Sequence, residues 1–322
     1  MKAIRVHSTG GPEVLTLEEL PDPVAGPAEL LVKVEAIGVN FLEIYFRQGL
    51  YPSPLPFIPG TEVAGVVVGL GAEVKGFRVG DRMVTVSAKG AYATMTVVPA
   101  DKAVKIPDGV ATKVAAAVWL QGLTAHYLTH STFDLEPGHS CIVHAAAGGV
   151  GLLLCQMAKA KGAFVIGTAS TPEKRELAKR AGADEVIDYT TQDFSVEARR
   201  LTGGAGVDVV YDSVGASTFQ RSLQSIRPRG MLVLFGQSSG PVHPIDPQLL
   251  NRNGSLFLTR PTLTHYVATR AELEQRAGDL LGWIASGKLD VRIGAEFALA
   301  DAAKAHLALA SRGTTGKTLI IP

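Results

Sequence analysis

The spacing of hydrophobic residues changes once along the chain, at about residue 120. Before that point, short runs of alternating apolar and polar residues, such as Leu30–Ile37 and Glu62–Gly69, are separated by Gly and Pro. This spacing predicts short β-strands joined by turns. We therefore expect a compact, barrel-like β domain in the first part of the chain.

After that point, short apolar runs alternate with segments of helical period. The predicted strands are Cys141–His144, Phe164–Thr168, Glu185–Asp188, Val207–Asp212, Met231–Phe235 and Ser255–Leu258. Strands that alternate with helical crossovers predict a doubly wound parallel sheet, so the expected fold class is α/β.

The C-terminal part does not continue this alternation. It contains a predicted amphipathic helix over Thr269–Gly287, a second helix over Asp301–Arg312 and a terminal strand over Lys317–Ile321. We expect this tail to return to the first domain. The predicted organisation is a discontinuous β-rich domain, residues 1–122 and 263–322, interrupted by a parallel-sheet domain of residues 123–262.

Composition narrows the class of protein. The 322 residues carry a formal net charge of +1, so no long-range field recruits nucleic acid or a membrane surface. The two cysteines, Cys141 and Cys155, lie in apolar segments without metal-ligand spacing and are expected to be buried thiols of a reducing compartment. The chain enters a strand pattern directly and has no apolar run long enough to span a membrane, which predicts a cytoplasmic protein.

The clearest chemical signal lies in Ser140–Gly162. An apolar strand leads into a Gly-rich turn at 146–151, and a helix follows. A dinucleotide-binding turn requires this order, with Gly148 for close approach of a pyrophosphate and Gly151 for close packing of the helix. The helix N-terminus supplies free N–H groups for the phosphates. Ala146 replaces the first Gly of the usual pattern, and a turn that binds nothing is the weaker alternative.

The end of the second strand indicates which nucleotide is bound. An NAD-preferring site usually has an acidic residue there for the ribose hydroxyls, but residues 168–171 contain none. Glu173 is expected to be a first-turn acid favoured by the helix dipole. Ser170 and Lys174 suit a 2′-phosphate, whereas Arg175 is left open between a phosphate contact and a solvated helix position. The inferred cofactor is NADPH.

Taken together, motifs along the whole chain resemble those of the medium-chain dehydrogenase/reductase superfamily. Within it, the chain is similar to the zinc-free quinone oxidoreductases related to zeta-crystallin. The motifs that carry the resemblance are Gly38–Phe41 with Tyr45, Gly49–Pro52, Pro59–Glu62, Gly80–Arg82, His144–Gly151, Tyr211–Gly215, Phe235–Gly240 and Thr259–Pro261.

The resemblance implies a GroES-like catalytic domain, a Rossmann nucleotide domain and a set of functional residues. The pocket over the nicotinamide would be lined by Asn40, Tyr45, Tyr51 and Gln121. The cofactor would be held by Phe41, Thr124, Gly148, Gly149, Val150, Gly151, Ser170, Lys174, Tyr189, Ser213, Phe235, Gly236, Gln237, Ser238, Leu258, Thr259, Arg260, Pro261 and Arg312.

The resemblance also indicates whether the chain is expected to bind zinc. The zinc-dependent branch has Cys or His at three places, and these carry Asn40, Thr61 and Gln121 here. The two cysteines cannot form a four-cysteine zinc loop, and the eight histidines lack ligand spacing. We therefore expect no metal. This argues against an alcohol dehydrogenase, because an unactivated carbonyl is hard to polarise without a Lewis acid.

The leading hypothesis is an NADPH-dependent quinone reductase. Quinones are already electrophilic, so orientation of a ring over the nicotinamide supplies most of what is needed. Tyr45 and Tyr51 would supply apolar edges and O–H donors, while Asn40 and Gln121 would donate hydrogen bonds to the quinone oxygen. Asn40 could instead be a turn residue before a helix. No residue is a compelling general acid, which leaves water as the proton source.

Two alternatives stay open. The first is an NADPH-dependent reductase of the carbon–carbon double bond of enones or enals. The second is an NADPH-binding structural or RNA-associated protein with little turnover, for which the near-neutral charge offers no basic patch. A homodimer is expected, because Met231–Phe235 and Ser255–Leu258 form an apolar sheet edge that invites pairing with a second copy.

Overall fold

In the computed structural model, residues 1–311 and 313–322 are described, and they divide into two compact units. One unit comprises Met1–Gln121 and Thr269–Pro322, and the other comprises Gly122–Ala268. The chain therefore returns to the first unit at Thr269 and not at residue 263. Helix α8 (Leu263–Tyr266) belongs to the second unit because the Tyr266 ring stacks on Tyr127 with centroids 4.2 Å apart.

The first unit is built on a mainly antiparallel sheet. Its strands are β1 (Lys2–Arg5), β2 (Thr16–Glu19), β3 (Glu29–Gly38), β4 (Val63–Leu70), β5 (Arg82–Thr85), β6 (Met95–Pro99), β7 (Val104–Lys105), β14 (Ile293–Ala298) and β15 (Lys317–Ile321). Among the described residues β1 and β2 form a ribbon, and the other seven strands form a sheet of order β14-β15-β3-β4-β5-β7, with β6 also paired to β3. The predicted β-rich first domain is thus confirmed.

The first unit also contains four helical segments. They are α1 (Phe41–Arg47), the first part of α2 (Thr112–Tyr127), α9 (Arg270–Ala285) and α10 (Ala302–Ala310), with 3-10 turns at Pro12–Val14, Ala100–Lys102 and Leu299–Asp301. The core is apolar and includes the fully buried Val32, Ile37, Val67 and Met83. The register of β15 against β3 pairs Leu319 with Gly38, which brings the start of the last strand beside the start of α1.

The second unit is a parallel sheet covered by helices. Its strands are β8 (Ser140–Val143), β9 (Phe164–Ala169), β10 (Glu185–Asp188), β11 (Val207–Asp212), β12 (Ile226–Leu234) and β13 (Phe257–Thr259). Residues 122–268 are all described, and their strands follow the order β10-β9-β8-β11-β12-β13. The helices are α3 (Gly149–Ala160), α4 (Pro172–Arg180), α5 (Phe194–Leu201), α6 (Phe219–Ser225) and α7 (Gln248–Arg252), and a π-helical turn, Leu128–Thr132, follows α2. The predicted doubly wound sheet is confirmed.

The connection between the two units is one long helix. Two helical segments are indicated by the sequence pattern, at Val114–Trp119 and Thr124–Thr129, and in the structure α2 is continuous through Gly122 between them. Burial of its neighbours, such as Trp119 and Leu123, outweighs the small helix penalty of one glycine.

Of the helices in the described chain, none has both the length and the apolar composition of a membrane span.

Candidate active site

Asn40 lies where β3 ends and α1 begins. Its extended backbone, with φ −133° and ψ 159°, makes it the N-cap residue of α1. The side chain of Glu43, at the third helical position, accepts a hydrogen bond from the Asn40 backbone N–H at 2.7 Å. Asn40 is therefore a helix-start residue, as the alternative interpretation of the sequence proposed, and its side chain is held at a fixed place.

A buried lysine contacts the side chains of Asn40, Glu62 and Gln121, and we call these four residues the Lys317 network. Lys317 Nζ lies 2.7 Å from Asn40 Oδ1, 2.6 Å from Glu62 Oε2 and 2.8 Å from Gln121 Oε1. These acceptors match the three N–H donors of an ammonium group. The Lys317 and Glu62 side chains are 3% and 0% exposed. The signal that could have identified this residue is a lysine at the start of a mostly apolar terminal strand, Lys317–Ile321.

The carboxylate of Glu62 joins three segments of the chain. Its Oε1 accepts from the backbone N–H of Leu120 at 2.6 Å, and its Oε2 accepts from Asn40 Nδ2 at 3.0 Å and from Lys317. A Cβ at Gly38 would lie 1.9 Å from Glu62 Oε2, so this glycine makes room for the carboxylate. Glu62 is therefore an internal hydrogen-bond acceptor of this unit.

The two amides of the network are oriented differently. Asn40 Nδ2 donates to Glu62 and, at 3.3 Å, to the carbonyl of Gly38, so its N–H groups point into the protein. Gln121 Nε2 donates to Asn40 Oδ1 at 2.7 Å, and no hydrogen bond between described residues uses its second N–H. Gln121 is 9% exposed, so it still reaches the surface of this unit. A donor to a substrate oxygen is thus offered by Gln121 and not by Asn40.

Glu43 is a second buried carboxyl beside the network. Its Oε1 has no hydrogen-bond partner among the described residues. Burial raises the pKa of Glu43 from the ordinary 4.5 to about 7, and the positive charge of Lys317 offsets part of that rise. A carboxyl group that titrates near neutrality therefore lies next to the predicted pocket residues, and sequence reasoning missed it.

Aromatic side chains form a cluster on α1 and the loop after it. The rings of Tyr45 and Tyr51 meet edge to face with centroids 5.5 Å apart, and Phe46 contacts Tyr51 at 5.7 Å. Phe41 lies 6.3 Å from Tyr45. The structure thus brings together Tyr45 and Tyr51, the two predicted pocket aromatics: Tyr45 lies on the helix that Asn40 caps, and Tyr51 lies in the loop that follows it.

The Gly-rich turn of the second unit has the shape of a phosphate cradle. Gly148 is the N-cap of α3, and no described side chain caps this helix start. A Cβ at Gly148 would lie 3.1 Å from the Ala145 carbonyl oxygen, and a Cβ at Gly151 would lie 2.3 Å from the same atom. Gly151 is therefore required for packing, as predicted. The exposed helix start and its bare backbone fit the pyrophosphate of a dinucleotide.

The departure at Ala146 is accommodated on the neighbouring strand. A Cβ on Gly167 of β9 would lie 3.0 Å from the Ala146 methyl group, which is a tight contact. A glycine in the strand thus makes room for the methyl group that the turn carries, and the turn keeps its form.

Residues predicted to bind a 2′-phosphate lie at one edge of the sheet. The register pairs Ala169 with Asp188, so Ser170 and Tyr189 follow adjacent strand ends. Lys174 lies in the first turn of α4, whose N-cap Thr171 accepts from the Lys174 backbone N–H at 3.3 Å. Arg175 forms an ion pair with Asp188 at 2.5 Å, a contact that neither interpretation of the sequence included.

The ends of β11 and β12 are held by a buried carboxylate, Asp212. It is fully buried and accepts from the backbone N–H groups of Val214 at 2.8 Å and Gly215 at 3.0 Å. The hydroxyls of Thr218 and Ser222 donate to it at 2.7 and 2.9 Å. These bonds fix the loop that starts at the predicted cofactor residue Ser213.

The remaining predicted cofactor residues lie near that loop or on other elements. The backbone N–H groups of Phe235 and Ser238 donate to the carbonyls of Asp212 and Ser213 at 2.9 and 3.2 Å. Thr124 is buried in α2. Residues 258–261 span the end of β13 and the segment after it. Arg312 lies outside the described residues.

His144, the last residue of the motif's first strand, lies in the core beneath the turn. Its Nε2 is 3.0 Å from Ser222 Oγ, and its Nδ1 is 3.0 Å from Thr168 Oγ1. Burial lowers the pKa of His144, so the ring is neutral. Because Ser222 donates to Asp212, it accepts from Nε2–H, and Nδ1 accepts from Thr168.

The residues present do not fit a zinc ion. Two of the three places that hold ligands in the zinc-dependent branch carry Asn40 and Gln121, whose oxygens accept from the Lys317 ammonium. Residues 1–311 and 313–322 contain no group of three or more His, Cys, Asp or Glu side chains that could hold a metal ion.

Two family models match the chain. A model described as zinc-binding dehydrogenase matches residues 149–282, and a model described as alcohol dehydrogenase GroES-like domain matches residues 26–108. Quinone oxidoreductase of Pseudomonas aeruginosa is 46% identical over 100% of this chain and 99% of its own length. 2-Haloacrylate reductase of a Burkholderia species is 41% identical over 98% of both chains. The crystal structure of Escherichia coli quinone oxidoreductase complexed with NADPH superposes with a TM-score of 0.98, at 44% identity over 100% of both chains.

Replacing Gly38 by Ala is expected to destabilise the protein. The new methyl group would meet the Glu62 carboxylate at 1.9 Å, so the buried ion pair must shift, at a cost of about 3 kcal/mol. Urea unfolding measures the change. Gly278→Ala is the matched control, because a Cβ there meets nothing within 4 Å and its helical site gains about 0.5–1 kcal/mol. Equal stability of the two variants would mean that the carboxylate is free to move.

Glu43→Gln is expected to change how stability depends on pH. The raised pKa of Glu43, about 7 against 4.5, means that the folded protein keeps a proton that the unfolded chain releases between these values. The free energy of unfolding of the parent therefore falls as pH rises through this window, by on the order of 3 kcal/mol. Gln cannot ionise but still accepts from Asn40, so this fall disappears in the variant.

Denaturation at pH 4.5, 6 and 8 measures the effect of Glu43→Gln. Glu296→Gln, which removes an exposed carboxylate paired with Lys113, is the control and should follow the parent at each pH. Parallel curves for Glu43→Gln and the parent would contradict the assignment.

Proposed function

This chain belongs to the quinone oxidoreductase branch of the medium-chain dehydrogenase/reductase superfamily, and we propose on that basis that it is an NADPH-dependent quinone reductase. The observation that carries the proposal is the 46% identity to a quinone oxidoreductase over the whole chain. Two observations support it: Asn40 and Gln121 bind the Lys317 ammonium where the zinc-dependent branch has metal ligands, and residues 168–171 contain no acid.

The second unit supplies the cofactor side of the proposed reaction. The backbone of the 148–151 turn would bind the pyrophosphate, and Ser170, Lys174 and Tyr189 would bind the 2′-phosphate. Other residues proposed to contact the cofactor are Phe41, Thr124, Ser213, Phe235–Ser238, Leu258–Pro261 and Arg312. NADPH, when bound, supplies a hydride. The task of these residues is to hold its nicotinamide in one orientation and to keep water away.

The first unit supplies the acceptor side. Tyr45 and Tyr51 would form the wall against which a flat ring packs, and Gln121 would donate its second N–H to the acceptor oxygen as negative charge develops there. Asn40 would hold the Gln121 amide in place. In the overall reaction NADPH, a proton and a quinone give NADP⁺ and a hydroquinone, with the proton taken from water.

A second candidate activity shares the fold and the cofactor. The relative that reduces 2-haloacrylate, by its name, is 41% identical to this chain, which favours reduction of an electron-poor carbon–carbon double bond as the alternative. A substrate panel separates the two, because an enone gives a saturated ketone and a quinone gives a hydroquinone. A structural or RNA-associated role is the third candidate, and turnover at ordinary enzymatic rates would make it secondary at most.

We also propose a homodimer and a cytoplasmic location. Strand β13 lies at the edge of its sheet, and Phe257 on this strand is 59% exposed. An uncovered apolar edge strand favours pairing with the same strand of a second copy. Two cysteines without a disulfide, both buried, suit a reducing compartment.

Cofactor preference provides the first test. Reduction of a bulky o-quinone is expected to be fast with NADPH, slow with NADH and unaffected by chelators. Lys174→Ala should raise KM for NADPH roughly tenfold to hundredfold, because a charge-assisted contact to phosphate is lost, and should leave the reaction with NADH unchanged. Lys179→Ala, an exposed position on the same helix, is the control. Equal KM changes in the two variants would remove the 2′-phosphate assignment.

Assembly provides the second test. Light scattering after size exclusion is expected to give twice the mass of the chain. Phe257→Lys should give a monomer, because it places a charge on the β13 edge. Val196→Lys, at a position 63% exposed in the same unit, should leave the dimer intact. A dimer that survives Phe257→Lys would place the interface elsewhere.

A further inference from the structure

The ammonium of Lys317 contacts the side chains at two of the three places that carry zinc ligands in the zinc-dependent branch, Asn40 and Gln121. Three side-chain oxygens surround it within 2.8 Å, from Asn40, Glu62 and Gln121. All three of its N–H groups are engaged, so the ammonium has none left for a substrate atom. Lys317 can therefore affect reduction only by orienting the side chains to which it donates hydrogen bonds.

Of these side chains, Gln121 is the one that keeps an N–H without a partner among residues 1–311 and 313–322. Its Oε1 accepts from Lys317 at 2.8 Å, and one of its N–H groups donates to Asn40 Oδ1 at 2.7 Å. Two bonds to one planar amide fix both its position and which end carries the NH₂ group. With the oxygen bound to the cation, the second N–H is the side-chain donor of the network that has no partner among the described residues, and the nearby positive charge strengthens it as a donor.

A purely structural role for Lys317 would explain the ion pair but not this arrangement. Glu62 already has two further donors, Leu120 N–H and Asn40 Nδ2. A lysine serving only to neutralise Glu62 would not need to contact both amides. The contacts to Asn40 and Gln121 set the orientation of those amides, which is a property that the proposed reaction uses.

We propose that Lys317 is a positioning residue for reduction of the acceptor, holding the Gln121 carboxamide so that its second N–H meets the acceptor oxygen. The inference rests on the proposed function. As a hydride passes from NADPH to the acceptor, two electrons enter the ring and negative charge appears on its oxygen. The Gln121 N–H stabilises that charge, and a proton from water completes the hydroquinone.

The test uses variants that avoid a buried unpaired charge. Lys317→Met alone would leave Glu62 ionised without its partner, so it is combined with Glu62→Gln, which removes both charges. Gln121→Leu removes the donor directly, and the triple variant combines all three changes. Thr318→Val is the matched control, because its hydroxyl is buried on the same strand and has no partner among the described residues.

The readouts are kcat and KM for the quinone, Kd for NADPH from fluorescence, and the melting temperature. The Lys317→Met/Glu62→Gln variant is expected to bind NADPH like the parent but to lose kcat roughly tenfold to hundredfold, since a donor to the developing charge is misplaced. KM should change little, because the contact strengthens only as charge develops. Gln121→Leu should show the same loss, and the triple variant should be no slower than either.

Loss of kcat should also depend on the acceptor. A weakly electrophilic enone needs more stabilisation of its oxygen than a strongly oxidising quinone, so its rate should fall further in both variants. Thr318→Val should retain the parent rates with each acceptor.

Three results would overturn the proposal: kcat within twofold of the parent for Lys317→Met/Glu62→Gln, no loss for Gln121→Leu, or a triple variant whose loss is the product of the two. Should the methionine variant fail to fold, Lys317→Gln with Glu62→Gln keeps polar partners without the charge and carries the same expectation. If the parent reduces no quinone or enone with NADPH, the proposed function itself fails, which is a separate outcome.

Discussion

A lysine ammonium and a glutamate carboxylate are buried together in the first unit, and much of the local structure follows from their cost. Removing each ion from water costs several kcal/mol, which an ion pair offsets only with good geometry and further hydrogen bonds. Here Lys317 has three oxygen acceptors, and Glu62 accepts from Lys317, Asn40 and Leu120. The pair therefore requires four segments to meet: the start of β15, the start of α1, the residue before β4 and the middle of α2. It also requires glycine at residue 38.

The second unit also buries a carboxylate, but without a cationic side chain bonded to it. Asp212 is fully buried, and its charge is met by two backbone N–H groups and two hydroxyls. The neutral ring of His144 extends this chain through Ser222. Both networks thus lie at the ends of strands from which predicted functional residues project. Such networks are of uncertain benefit to stability but hold loops and side chains in one arrangement, and this agrees with their position beside the cofactor and acceptor residues.

Sequence reasoning was most successful where the signal was local. The strand–turn–helix of residues 140–162 and the missing acid after β9 depend on neighbours in sequence, and the alternation of strands and helices predicted a doubly wound parallel sheet. The Lys317 network could not be found this way, because Lys317 and Asn40 are 277 residues apart and meet only through the register of β15 on β3. The direction of the Asn40 amide was missed for the same reason. Gly122 resembles a helix break locally, but burial around α2 keeps the helix continuous.

The kind of cation at the site also limits which acceptors the chain can reduce. A metal ion polarises a carbonyl by binding its oxygen directly, whereas the N–H groups of Lys317 are all used within the protein. At the proposed acceptor site, the acceptor oxygen would receive hydrogen bonds instead, from Gln121 and the tyrosine hydroxyls. A hydrogen bond to developing charge lowers the barrier by about 3 kcal/mol, and an acceptor without a metal to polarise it depends on its own electrophilicity for the rest. The network therefore favours acceptors that are electrophilic before they bind, and among these a quinone, whose reduction gives an aromatic ring, requires less assistance than an enone.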